Sequence, residues 1–200
     1  MKNLKEKVNK KIDLSRLNED FINQSIDMAL NEYAIENSLD GEIKIEKIIK
    51  KCNFEIQISD NILIDDAVGM MLLCDDTRKI CLNGNYSYEE IKYAMLYLLG
   101  KYLVEYNGTK DYVAICRDQN RKIKSNYYAD MFTLGILMPK EQFISKYSEM
   151  EDVSSEEKIN RLSDYFHVSY DNVNKYLKRL TRRKELKYNS ETKILVFKKI

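Results

Sequence analysis

One proline and six glycines punctuate 200 residues. With so few breakers, the chain is confined to long regular elements joined by short loops. Hydrophobic residues make up 44%, which supplies a real core and excludes a wholly disordered chain. The length suits one domain or two small ones. No apolar run approaches the roughly 20 residues of a membrane span, so no membrane role is expected. The start, Met1–Val8, lacks the apolar centre of a secretory signal, and a cytoplasmic location is expected.

Residues 1–16 are Lys-rich and weakly patterned, and predict a flexible start. Between Asn18 and Asn37, Phe21, Ile22, Ile26, Ala29 and Tyr33 recur near helical spacing. Ile45, Ile48 and Ile49 mark a short helix, and Phe54–Ile58 reads as a strand. Gly69–Cys74 and Lys79–Leu82, joined by two Asp, Thr and Arg, predict a hairpin. Ser87 with Glu90 is a capping-box pattern. It opens a long helix with Ile91, Ala94, Met95, Leu98, Leu99 and Leu103 on one face. Tyr112–Cys116 reads as extended, and a second long helix spans 122–137. Pro139 separates it from a helix at Lys140–Tyr147. Helices through Phe166 and from Tyr170 to Leu180 flank the turn His167-Val168-Ser169. Leu186–Tyr188 and Lys193–Phe197 predict a terminal hairpin.

The net charge of +1 hides an asymmetry: Lys175–Ile200 carries ten Lys or Arg against two Glu, leaving −7 for residues 1–174. A cationic end attracts polyanions, nucleic acid first, although a solvated helix face explains it equally well. The four cysteines, Cys52, Cys74, Cys81 and Cys116, form no Cys-x-x-Cys pair and read as free thiols acting as small buried hydrophobes. The chain has one histidine, His167, which removes every mechanism needing two. No phosphate loop, nucleophile elbow or paired-carboxylate motif is present.

The hairpin ending Ile80-Cys-Leu-Asn83, the helix Tyr93-Ala-Met-Leu-Tyr-Leu-Leu-Gly-Lys-Tyr-Leu103 and the helix Tyr128-Ala-Asp-Met-Phe-Thr-Leu-Gly-Ile-Leu-Met-Pro139 follow one another in an order that resembles the ImmA/IrrE-type metallopeptidase family. That family's first helix typically reads F-T-x-A-H-E-x-G-H-x-L and its second E-A-x-x-F-A-x-x-L-L-M-P. Gly100, Leu103, Ala129, Phe132 and Leu137-Met138-Pro139 match in register, over a resemblance covering roughly residues 45–180. The resemblance implies an α+β, zincin-like fold with a small antiparallel sheet packed on long helices. It implies a peptidase-like domain over 17–150 and a helix-turn-helix or winged-helix-like region with a terminal hairpin over 151–200.

In active members two His at i and i+4 bind zinc, the adjacent Glu is the general base, and a Glu of the second helix is the third ligand. Carried over, these positions fall on Tyr97, Lys101, Leu98 and Tyr128. Zinc takes deprotonated ligands, and ionising two phenols and an ammonium at pH 7 costs about 13 kcal/mol. That rivals the whole affinity of a good structural site. Leu98 cannot take a proton from water. The resemblance therefore implies a degenerate member with no metal, no cofactor and no catalytic residue. Its replaced positions either fill the old cavity or line a groove for a ligand, and filling is the favoured reading.

Active relatives are thought to act on repressor-type helix-turn-helix regulators of phage and mobile elements, so the expected partner is such a protein. The alternative is a DNA-binding regulator that uses Asn172, Asn174, Lys175, Lys178 and Arg179, with Arg182, Arg183 and Lys184 on the backbone. A peptidase with a non-standard site is the least favoured reading, because no nucleophile or base is displayed.

Overall fold

The computed structural model describes residues 19–31, 45–60, 66–106, 108, 111–118 and 126–182, and the backbone of two further strands at 186–189 and 194–197. It is α+β, with seven helices among the described residues: α1 (Glu19–Ala29), α2 (Ile45–Lys51), α3 (Tyr88–Glu105), α4 (Tyr127–Leu137), α5 (Lys140–Ser148), α6 (Ser155–Phe166) and α7 (Tyr170–Arg182). Strands β1 (Glu55–Ser59), β2 (Ala67–Cys74), β3 (Thr77–Asn83) and β4 (Tyr112–Arg117) form one sheet, and β5 (Leu186–Asn189) pairs antiparallel with β6 (Ile194–Phe197). None of these helices is long and apolar enough to cross a membrane. Contacts divide the chain into Met1–Ser38 with Ile43–Ile136, and Leu39–Glu42 with Leu137–Ile200. The helix α5 thus groups with the C-terminal helices, whereas the sequence reading put it with residues 17–150.

In the first unit the sheet order is β1-β3-β2-β4. The pairs β2–β3 and β2–β4 are antiparallel, but β1 runs parallel to β3. The sheet is therefore mixed, which corrects the expected antiparallel sheet. β3 lies between β1 and β2, so its hairpin partner β2 and its parallel partner β1 take opposite directions. The hairpin turns at Asp75, whose φ of 48° is one that Asp tolerates better than most residues. Gly69, Met71 and Leu73 stand opposite Leu82, Ile80 and Arg78 on one side and Cys116, Ala114 and Tyr112 on the other. Their period of two makes one apolar row toward α3.

Ser87 and Glu90 close the capping box that starts α3. Thirteen of its 18 residues are buried, so it is a central helix apolar all round and not a one-faced surface helix. One side lies on the sheet. On the other, a Cβ added to Gly100 would stand 3.0 Å from Ala129 Cα and 3.1 Å from its carbonyl oxygen. Close backbone approach thus fixes where α4 crosses α3. Against α4, α1 docks with Ile26 over Gly135, and the Tyr127 hydroxyl donates to Glu19 at 2.6 Å.

The core of the second unit is aromatic. Phe143 stacks on Phe166 at 5.8 Å and meets Tyr176 edge-on at 5.0 Å, which is why α5 belongs with α6 and α7. Between α6 and α7 His167 adopts left-handed φ 50°. Its N–H donates to the Asp164 carbonyl and that of Val168 to the Ser163 carbonyl, a Schellman arrangement. The Ser169 hydroxyl then accepts from Asn172 N–H at 3.3 Å and starts α7.

Candidate functional site

Two helices, α3 and α4, and the sheet strand β4 converge on a cluster of phenols and carboxylates. Tyr93 and Tyr97, one turn apart on α3, stack with ring centroids 5.9 Å apart. The Tyr93 hydroxyl donates to the Asp130 carboxylate on α4. Burial, then the Asp130 charge, pushes its pKa well above the usual phenol value.

Asn126, just before α4, is the hub of the cluster. Its side-chain oxygen accepts from the N–H groups of Tyr128 and Ala129, each at 3.1 Å, so it is the N-cap. Its own N–H donates to the Tyr97 phenol oxygen at 3.0 Å. Its amide nitrogen donates to Glu105 at 2.8 Å. Glu105 also accepts from the Tyr112 hydroxyl at 3.0 Å and pairs with Lys101 at 3.5 Å. Burial, then Glu105, raises the Tyr112 pKa.

Of the four positions carried over from the family motif, three meet here. Tyr97, 9% exposed, reaches the first turn of α4. Lys101 is one turn further along α3 and is tied to Glu105 rather than to a phenol. Tyr128 is half-buried, with its ring edge-on to Tyr127 at 5.4 Å. Tyr97 and Tyr128 are linked through Asn126. Leu98 lies elsewhere: it is fully buried, with Cδ1 3.2 Å from where a Cβ on Gly69 would stand. It belongs to the layer between α3 and the sheet. A phenol held by a backbone N–H, an ammonium held by a carboxylate and an aliphatic turned to the sheet do not fit a zinc ion. Among the described residues, no group of three or more His, Cys, Asp or Glu side chains is placed to hold a metal.

Sequence reasoning missed Asn126, Glu105, Tyr93, Asp130 and Tyr112. Two of them were signalled. Asn before Tyr-Tyr-Ala-Asp is an N-cap pattern, and Glu105 stands at i+4 from Lys101.

On α7 the structure separates the candidate nucleic-acid contacts. Lys175, Lys178 and Arg182 are exposed, and Asn174 is half-buried. Arg179 is half-buried, with its guanidinium 5.7 Å over the Tyr176 ring. Asn172 is 4% exposed and faces the interior, unlike the other described members of that set. Arg183 and Lys184 lie outside the described residues. Of the cysteines, Cys116 is buried as expected, but Cys74 is exposed at the end of β2 because the sheet's alternation turns it outward. His167 is exposed in its turn.

A scan against protein-family models gives no match for the chain, and neither does a search of curated proteins.

Proposed function

We propose that this chain is a catalytically inactive, zincin-like relative of the ImmA/IrrE metallopeptidases that works by binding a protein, a repressor-type helix-turn-helix regulator, without cutting it. The observation that carries this reading is Asn126. Its backbone and side chain satisfy Tyr97, the first turn of α4 and Glu105 together, which supports reading the position of the family's ion as filled by hydrogen bonds. Such a network, once satisfied, rigidifies a scaffold and supplies no activated water.

The test mixes the purified full chain with candidate repressors from the same genome, with and without added zinc. A stable complex with the repressor intact, and no stoichiometric zinc by elemental analysis, is expected. One zinc per chain that disappears in Tyr97→Phe, or repressor cleavage, overturns the reading.

A second reading rests on the exposed cations Lys175, Lys178 and Arg182 along α7. In it, a helix-turn-helix made by α6 and α7 binds DNA. It requires a salt-dependent mobility shift that collapses when Arg182, Arg183 and Lys184 all become Glu. An unchanged shift in that variant removes it.

A further inference from the structure

The second unit contains an open groove of about 400 Å³ between α5, α6 and α7. Tyr147, Ile159 and Leu177 form its floor, and Lys178, Thr181 and Arg182 line its α7 side. We propose that this groove docks an acidic amphipathic segment of a partner protein, with apolar side chains on the floor and carboxylates on the α7 rim. The proposal goes beyond the pseudo-peptidase reading and needs nothing from the Tyr97 cluster.

Charge names the occupant. Lys178 and Arg182 stand one turn apart on α7 and both are exposed, while no Asp or Glu is among the described residues that line the groove. Below the floor, the ammonium of buried Lys158 lies 4.9 Å over the Tyr147 ring. Two cations and no anion make the α7 rim positive, and carboxylates placed on that rim complement it. The floor asks for more than charge. Three large side chains facing an open groove are matched by apolar anchors at i and i+3 or i+4, the pattern of a helix laid in a groove.

Duplex DNA fits less well. Phosphates have nothing to gain from an apolar floor.

The experiment is fluorescence anisotropy on the full chain. The probe is a labelled amphipathic peptide of Leu, Phe, Glu and Asp in helical spacing. A scramble of the same composition, a version with Lys for every acid, and a short DNA duplex accompany it. Saturable binding of the acidic amphipathic peptide, weakening with salt, is expected, with the scramble and the Lys version at least about tenfold weaker. Lys178→Glu with Arg182→Glu should weaken it by about tenfold or more. So should Thr181→Trp, which fills the groove from an exposed rim position without touching charge. Both variants must keep the wild-type circular dichroism and melting midpoint to be read. The proposal is overturned by no peptide binding, by equal binding of the scramble, by unchanged affinity in both variants, or by DNA displacing the peptide as the tighter ligand.

Discussion

Tyr97 of α3 accepts the backbone N–H of Asn126 at 3.0 Å, so a buried phenol of one helix is bonded to the N-cap of the next. The two helices are joined there by a hydrogen bond. Below that point Gly100 and Ala129 let their backbones touch. A hydrogen bond at the top and a close approach lower down fix the crossing.

The hub should be costly to remove. Asn126→Ala loses the cap, about 1 to 2 kcal/mol, and leaves Glu105 one donor short. Tyr97→Phe leaves a part-buried N–H without its acceptor, about 1 kcal/mol or more. Urea unfolding should show both losses, and metal content should not change in either variant. A Tyr97→Phe midpoint equal to wild type would mean that the bond carries no weight.

Gly100→Ala should destabilise, against the ordinary trend. In an exposed helix this change gains about 1 kcal/mol. Here the new methyl meets Ala129 backbone at 3.0 and 3.1 Å, and backbone cannot step aside cheaply. Overpacking of this kind costs about 1 to 3 kcal/mol. A thermal melt decides the sign.

Leu98→Glu puts a carboxyl into the layer between α3 and the sheet and should wreck the fold. The side chain is 0% exposed and packs toward Gly69 of β2. A carboxylate there has no partner, and an unpaired buried charge costs about 3 to 5 kcal/mol. Leu98→Met, similar in volume, should stay within about 1.5 kcal/mol of wild type. Equal urea midpoints for the Glu and wild-type chains would show that the position opens to the cluster.

The helices were legible in sequence because their signals are local. Ser87 and Glu90 announce α3, and Phe143, Phe166 and Tyr176 fall at helical spacing on their own segments. The parallel β1–β3 pair was not legible, because nothing in Glu55–Ser59 records which strand will lie beside it. Reading α3 as amphipathic missed that Tyr93 and Tyr97, polar at one atom, are buried along the rest of the ring. That Tyr97 and Lys101 share one face of α3 could be read from their spacing. That Asn126 ties them together could not, since it depends on how α4 meets α3.

His167 holds the left-handed position that ends α6, where a side chain costs about 1 to 2 kcal/mol relative to glycine. His167→Gly relieves that strain and loses part of the gain to a freer unfolded chain. The net should be a stabilisation of about 0.5 kcal/mol. His167→Val, β-branched, should lose about 1 kcal/mol or more. A ranking of Gly, His, Val by melting midpoint checks the assignment, and any other order contradicts it.

Stability should fall steeply in alkali. Burial and Asp130 hold the Tyr93 phenol well above its usual value, burial pushes Tyr102 up to about 12, and burial pushes the Cys52 thiol up to about 11. In the unfolded chain these groups titrate at about 10, 10 and 8.5. Between the unfolded and folded values the unfolded state has released protons that the folded state keeps, so unfolding becomes more favourable as pH rises. The contribution is intact below about pH 8 and is lost from there toward pH 12, at roughly 1.4 kcal/mol per pH unit for each group within its window. Urea midpoints between pH 7 and 11 should fall with pH. Cys52→Ser should flatten part of the fall between about pH 8.5 and 10, where thiols titrate and phenols largely do not. A midpoint that holds steady to pH 11 would place these phenols in contact with water.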